Sequence, residues 1–202
     1  MVRIAAVLHV LSVVIMIFAL CLVFPLAWSF FLGDAAQAAY DEAIVVTASA
    51  GVLLWVLTRK KKRELQPRDG FLLVALVWTI LPAFATLPLL LYLPQLSFTD
   101  AYFEAVSGFT TTGATVLSGL DALPPSINIW RTFLVWIGGM GVIVLAVAIL
   151  PLLGVGGSQI YKAETPGPMK DTKLTPRIAE TAKGLWLVYF MITVACVIAY
   201  RL

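Results

Sequence analysis

Five long stretches without Asp, Glu, Lys or Arg limit what this chain can fold into. They lie at residues 4–33, 43–58, 70–99, 132–161 and 184–200. A helix needs about 20 mostly apolar residues to cross the hydrocarbon core of a bilayer, and hydrophobic residues make up 61% of the whole chain. We therefore predict an all-α integral membrane protein with five spanning helices. The shortest run can extend outward through Ala38, Ala39 and Tyr40.

The first apolar run is too long for a secretory signal, whose apolar core has about 7–15 residues. We expect it to remain as an uncleaved helix, in which His9 is satisfied by neighbouring helices. Cys21 and Cys196 lie inside apolar runs, which favours the role of small apolar side chains over a disulfide or a metal site. No constellation of side chains indicates catalysis, so we expect neither an enzyme nor a cofactor.

Basic residues are concentrated in two connections between the apolar runs. One group occupies residues 59–68 and the other residues 162–183, whereas residues 94–127 carry three acidic side chains and no Lys or Arg. Because Lys and Arg beside membrane spans are retained in the cytoplasm, we predict that both basic connections and the N-terminus are cytoplasmic. Residues 94–127 then face the outside.

The segment 94–127 is too polar to cross the membrane, and its flanking spans return it to the side from which it entered. Ser97 followed by Asp100 is typical of a capping box, and Thr99 is a second candidate N-cap. A helix over 99–109 would rise about 16 Å, roughly half of the hydrocarbon core. The next six residues, if extended, can return about 20 Å. This pattern predicts a re-entrant pore loop.

The sequence TTTGAT that follows this helix indicates a cation pathway. Non-helical backbone at membrane depth is tolerated only where it is buried in protein or lines water, and carbonyl oxygens there can replace the water shell of a cation. Gly113 permits a backbone angle that we expect the neighbouring threonines to resist. The alternative is a polar turn in an external loop. The order of span, capped helix, Thr/Gly strand and second span favours the pore.

Three segments resemble a known family. They are SGFTTTGATVL at 107–117, WRTFLVWIGGMGVIVLAVAILPLLGVGG at 130–157 and KLTPRIAETAKGLW at 173–186. In this order and spacing they are similar to the TrkH/TrkG potassium-uptake proteins of bacteria, within the superfamily of Trk, Ktr and HKT transporters. The resemblance covers essentially the whole chain. It implies two preliminary transmembrane helices followed by four helix, pore loop, helix repeats, of which this chain is the N-terminal portion.

The resemblance also implies a division of the chain into four parts. These are the preliminary helices with their basic cytoplasmic loop (1–70), the first pore-loop repeat (71–154), a cytoplasmic connection (155–183) and the start of the second repeat (184–202). Within the first part the two helices are expected at 5–31 and 43–57. Within the first repeat the expected elements are an outer helix (71–93), a pore helix (99–109), a filter (110–115) and an inner helix (127–153).

The function implied by the resemblance is potassium uptake across the bacterial inner membrane, with residues 94–127 on the periplasmic side. Potassium is then the transported substrate, coordinated mainly by the backbone carbonyls of Thr110, Thr111, Thr112 and Gly113, and foremost by Thr111 and Thr112. Channel-like transport and symport with protons or sodium both remain open, as does the passage of sodium. One filter loop cannot encircle an ion.

Partners follow from the same resemblance. They are the lipid bilayer, the remaining repeats, a cytosolic TrkA-type nucleotide-binding regulatory subunit and a second copy of the full-length protein. The connection 155–183 is either a docking segment for the regulatory subunit or a simple connector. Two other functions stay open, namely a channel built from four copies of this chain and a non-conducting assembly or regulatory fragment.

One charged pair belongs to the predicted pore loop. Glu104 falls inside the pore helix, where a buried carboxylate needs a partner, and Arg131 is the nearest basic residue in the sequence. We predict a structural ion pair between them in preference to a transport site.

Overall fold

The computed structural model describes residues 4–59, 67–149 and 174–201, and the regular secondary structure in these ranges is helical. The elements are α1 (Ile4–Cys21), α2 (Val23–Leu32), α3 (Gln37–Thr58), α4 (Pro67–Ala85), α5 (Leu87–Tyr92), α6 (Phe98–Phe109), a 3₁₀ turn (Leu120–Ala122), α7 (Pro125–Ile149) and α8 (Leu174–Arg201). The predicted all-α membrane fold is confirmed. The chain divides into two compact units, Met1–Trp136 and Ile137–Leu202, and the first contains the predicted filter.

Four helical stretches are long and apolar enough to cross a membrane within the described residues. They are Ile4–Leu32, Gln37–Thr58, Asp69–Tyr92 and Thr181–Arg201. The predicted inner span corresponds to α7, which has 25 residues, and residues 150–153 at its predicted end lie outside the described residues. Large apolar side chains such as Leu20, Phe31 and Leu57 are exposed, as expected for a surface that faces lipid.

The first span and α3 form a tightly packed helical hairpin. The first span is interrupted at Leu22, next to Pro25, whose ring nitrogen cannot donate to the carbonyl of Cys21. Helix α3 begins at Gln37, so the predicted extension of this span through Ala38, Ala39 and Tyr40 is confirmed. A Cβ atom on Gly51 would lie 2.7 Å from Cγ of Met16. The glycine therefore permits close contact between α1 and α3.

The predicted outer helix, 71–93, is two helices that meet at Thr86. Pro88 occupies the start of α5 and has no N–H to donate to the preceding turn, which interrupts the helical hydrogen bonding. The indole of Trp130 in α7 donates a 3.0 Å hydrogen bond to the carbonyl of Ala85 beside this interruption. This hydrogen bond joins α4 to α7 beside the interruption.

Helix α8 begins at Leu174, so the end of the predicted connection is helical. The part of α8 that is apolar enough to span a membrane begins at Thr181, three residues before the predicted start of the last span. Pro176 is compatible with this start because the first N–H groups of a helix have no partner within the helix. The part of the connection at 155–173 lies outside the described residues.

Candidate functional site

Helix α6 is the predicted pore helix, and its N-terminus is capped as the sequence indicates. The backbone N–H of Asp100 donates to the hydroxyl of Ser97 at 3.1 Å, and that hydroxyl donates to the Asp100 carboxylate at 2.7 Å. The helix starts at Phe98, one residue before the predicted start, and ends at Phe109 as predicted. Its 12 residues rise about 18 Å.

The C-terminal end of α6 is held by aromatic contacts in the core of the first unit. The Phe109 ring is 5.7 Å from the ring of Phe18 in α1 and 6.3 Å from that of Trp78 in α4, measured between centroids. Only 5% of Phe109 is exposed. Beside it, a Cβ atom on Gly108 would lie 3.0 Å from Cβ of Leu134 in α7. The predicted filter therefore begins at a point that contacts with three helices fix.

The backbone after α6 turns back on the helix instead of extending away from it. Thr111 has φ of 56° and Gly113 has φ of 73°, so the prediction of an extended strand is wrong for 110–113. The expectation that only the glycine adopts such an angle is also wrong. A residue in the left-handed conformation is the common way to end a helix, because it lets the following N–H groups cap the last carbonyls.

Four consecutive N–H groups cap α6 in this way. Those of Thr110 and Thr111 donate to the carbonyls of Val106 and Gly108 at 2.8 and 2.9 Å. Those of Thr112 and Gly113 both donate to the carbonyl of Ser107, at 2.9 and 3.5 Å. The N–H and C=O groups of a trans peptide point in opposite directions. The N–H groups of residues 110–113 share their peptides with the carbonyls of residues 109–112. Because these N–H groups point toward α6, the carbonyls of 109–112 point away from it.

The carbonyl oxygens of residues 110–113 remain available to a ligand. Within the part of the chain that the structure describes, no hydrogen bond ends on them, and all four residues are exposed. The next carbonyl differs, since that of Ala114 accepts a 2.6 Å hydrogen bond from the hydroxyl of Ser107. The four predicted coordinating residues thus lie together on one exposed turn that ends where Ser107 holds Ala114.

The hydroxyl hydrogens of Thr110 and Thr112 are used inside the loop. The Thr110 hydroxyl donates to the carbonyl of Val106 at 2.8 Å and lies 2.8 Å from the Thr112 hydroxyl. Because a hydroxyl has a single hydrogen, Thr112 is the donor in this pair. These bonds orient the two side chains and favour main-chain oxygens as the cation ligands.

A buried carboxylate holds the chain as it leaves the turn. Glu104 accepts hydrogen bonds from the hydroxyl of Thr115 at 3.0 and 2.9 Å and from the N–H of Val116 at 3.2 Å. Arg131 donates to the same carboxylate through Nε at 2.7 Å and Nη2 at 2.5 Å. The exposed fractions of the Glu104 and Arg131 side chains are 5% and 18%. The predicted ion pair is confirmed, and we call these four residues the Glu104 cluster.

The supporting roles of Ser107 and Thr115 were not predicted from the sequence. Thr115 falls at the end of the predicted filter, and its hydroxyl contacts both members of the ion pair. A signal was present, because Glu104 and Ser107 are three residues apart and such residues share one helix face. Two polar side chains on one face of a buried helix indicate that this face supports the polar loop.

Across residues 4–59, 67–149 and 174–201, no group of three or more His, Cys, Asp or Glu side chains is arranged to hold a metal ion. His9, expected to be satisfied by another helix, lies with Nδ1 3.2 Å from the Thr58 hydroxyl. The turn at 110–113 thus presents carbonyl oxygens that accept no hydrogen bond among the described residues, and it is supported by α6 and the Glu104 cluster.

Comparisons with known proteins identify the family of this chain. The profile of the TrkH family, described as a cation transport protein, matches residues 36–202. The Trk system potassium uptake protein TrkH of Escherichia coli (strain K12) is 49% identical over 195 residues, which cover 96% of this chain and 40% of that protein. TrkG of the same strain is 40% identical, with the same two coverages.

A solved structure shows the same fold. The crystal structure of the potassium transporter TrkH from Vibrio parahaemolyticus matches with a TM-score of 0.82 and 40% identity, covering 98% of this chain and 39% of that one. The chain thus spans about 40% of the length of the curated relatives it matches. The family profile and these relatives show that the chain belongs to the TrkH family of cation transport proteins.

Proposed function

We propose that this chain supplies one filter loop of a pore that moves potassium into a bacterial cell across its inner membrane. The observation that carries the proposal is the exposed turn 110–113, whose N–H groups cap α6 and whose carbonyls have no acceptor role among the described residues. Relatives that cover 96% of the chain are named potassium uptake proteins, which supports potassium as the cargo.

The physical basis of the proposed site is the replacement of water by carbonyl oxygen. Main-chain oxygens of Thr110, Thr111, Thr112 and Gly113 would take the place of part of the ion's hydration shell. The C-terminal end of α6, which carries partial negative charge, lies directly before them and favours a cation over an anion. One turn supplies one side of such a site, and the other loops of a complete pore would supply the rest.

The same proposal sets the orientation and the partners. Residues 94–127 would face the periplasm and the basic segments 59–68 and 162–183 the cytoplasm, following the distribution of Lys and Arg. A TrkA-type nucleotide-binding subunit would then dock on the cytoplasmic side, with a second copy of the whole protein as a further partner. Cysteine labelling from each side of intact cells, at Ser118 and at Arg59, tests the orientation.

The transport experiment uses the complete reading frame that encodes these residues, in a bacterium deleted for its own potassium uptake systems. We expect growth at low potassium and saturable uptake of rubidium, a potassium substitute. Absence of uptake with the protein present in the membrane would overturn the proposal. Uptake by residues 1–202 expressed alone would instead favour the channel built from four copies.

A pair of glycine variants tests the filter itself. Gly113 and Gly119 both have positive φ, 73° and 66°, and a Cβ atom on either would meet nothing within 4 Å. Alanine at either position therefore introduces the same backbone strain, about 1–2 kcal/mol, without a clash. We expect Gly113→Ala to raise the KM for rubidium about five- to tenfold and Gly119→Ala to leave it unchanged. Equal effects would argue against coordination at 110–113.

A further inference from the structure

The turn between α2 and α3 makes direct contact with the start of the inner helix α7. The Asp34 carboxylate accepts hydrogen bonds from the Ser29 hydroxyl and from the N–H of Ala36, the latter at 3.1 Å. Its second oxygen accepts a hydrogen bond from the N–H of Ser126, also at 3.1 Å. Asp34 thus caps a helix that begins about 90 residues later in the chain.

Tyr40, in the first turn of α3, holds the same residue of α7. Its hydroxyl donates to the carbonyl of Ser126 at 2.9 Å, and this contact is buried. Tyr40 and Ser126 are both fully buried. The N–H and the C=O of Ser126 are therefore both bonded to the hairpin. These two bonds define the position of α7 along its axis and its rotation about that axis.

The chemistry of this contact favours a charged Asp34. First-turn N–H groups lack partners inside the helix, and a negative charge is stabilised there. Partial burial raises the pKa of Asp34. The hydrogen bonds from Ser29, Ser126 and Ala36 together lower it by more than burial raises it, so the pKa lies below its ordinary value. The carboxylate is therefore ionised at neutral pH, and the contact is lost only as the pH falls through this lowered pKa.

Helix α7 connects this contact to the filter. Ser126 is one turn before Trp130, whose indole is bonded to Ala85, and five residues before Arg131 of the Glu104 cluster. Ser126 and Arg131 are separated by about 7.5 Å of helix rise. A displacement of the first turn of α7 therefore moves the guanidinium that holds Glu104 and Thr115.

We propose that the α2–α3 turn is a positioning element for the cation filter. In this arrangement Asp34 and Tyr40 set the position of α7. Helix α7, through Arg131, then positions the chain where it leaves the filter turn, residues 110–113. Neither residue touches residues 110–113 in the described contacts. The inference rests on the proposed function, and it assigns to the preliminary hairpin a role in ion affinity.

The test compares Asp34→Asn and Tyr40→Phe with Asp41→Asn in the complete protein. Asp41 is the exposed carboxylate next to Tyr40, so its variant loses the same charge as Asp34→Asn. We expect the first two variants to raise the KM for rubidium about 3- to 10-fold, with Vmax per molecule unchanged, and Asp41→Asn to have no effect. A lower amount of protein with unchanged KM would reduce the turn to a stability role and overturn the inference.

A double-variant cycle tests the route through the Glu104 cluster. If Asp34 acts through Arg131, the effects of Asp34→Asn and Glu104→Gln on KM are not additive, because both remove the same restraint. Additive effects would overturn the proposed route. The same cycle is repeated with Tyr40→Phe in place of Asp34→Asn, because that variant removes the hydroxyl and keeps the buried ring.

A spectroscopic measurement separates this inference from the proposed function. A spin label at Ser118, in a chain with Cys21→Ser and Cys196→Ser, reports the mobility of the segment after the filter turn. We expect greater mobility in Asp34→Asn and Tyr40→Phe than in wild type and in Asp41→Asn. If the wild type does not transport rubidium, the proposed function fails and this spectrum still decides the positioning role. Unchanged spectra in both variants would overturn it.

Discussion

Arg131→Ala is expected to lower the free energy of unfolding by about 3 kcal/mol, near the lower end of the range for breaking a buried ion pair. The Glu104 side chain is 5% exposed, so the variant leaves a buried carboxyl group without its cationic partner. The effect is placed at the lower end because Arg131 is itself partly exposed and because Thr115 and Val116 still donate to the carboxylate. Unfolding of the purified protein in mixed detergent micelles measures it.

Two further variants define what the arginine contributes. Arg59→Ala removes an exposed guanidinium that lies 5.9 Å from the Trp55 ring, and its expected effect is below about 1 kcal/mol. The double variant Glu104→Gln, Arg131→Met leaves no uncompensated charge, so it is expected to recover part of the lost stability. An Arg131→Ala protein as stable as Arg59→Ala would show that the Glu104 cluster does not hold the loop.

Phe109→Ala is expected to produce the second large effect, a loss of about 3 kcal/mol of unfolding free energy. The ring lies between Phe18 and Trp78, and its removal leaves a cavity at the end of α6. The loss lies in the lower part of the range for Phe→Ala because burial of a side chain between helices in lipid is stabilised by packing contacts and not by removal of apolar surface from water. The same detergent unfolding experiment measures it.

The matched control lies on the same helix. Phe103 is 46% exposed, so Phe103→Ala removes an identical side chain without opening a core cavity, and a change within about 0.5 kcal/mol is expected. In the complete protein, Phe109→Ala is also expected to weaken rubidium affinity, because the ring fixes the point at which the filter turn begins. Equal loss of stability in the two variants would contradict the proposed anchoring role of Phe109.

The sequence alone determined the features that depend on neighbouring residues. Runs without charge predicted the spans, since each backbone segment in lipid must satisfy its own hydrogen bonds as a helix. The Ser97 and Asp100 pair predicted the start of α6 because a cap is formed within one helical turn. The pairing of Glu104 with Arg131 was predictable as well, because a carboxylate inside the membrane requires a cation and few were near.

Only the tertiary structure decided how the turn at 110–113, the proposed filter, is shaped and supported. The left-handed angle of Thr111 is stabilised by capping bonds that an isolated threonine would not make. The hydrogen bonds between Ser107 and Ala114 and between Asp34 and Ser126 join residues that do not lie in the same helix. Such contacts depend on which helices become neighbours. The sequence places polar residues in each segment, but only the packing of the segments selects the partner of each one.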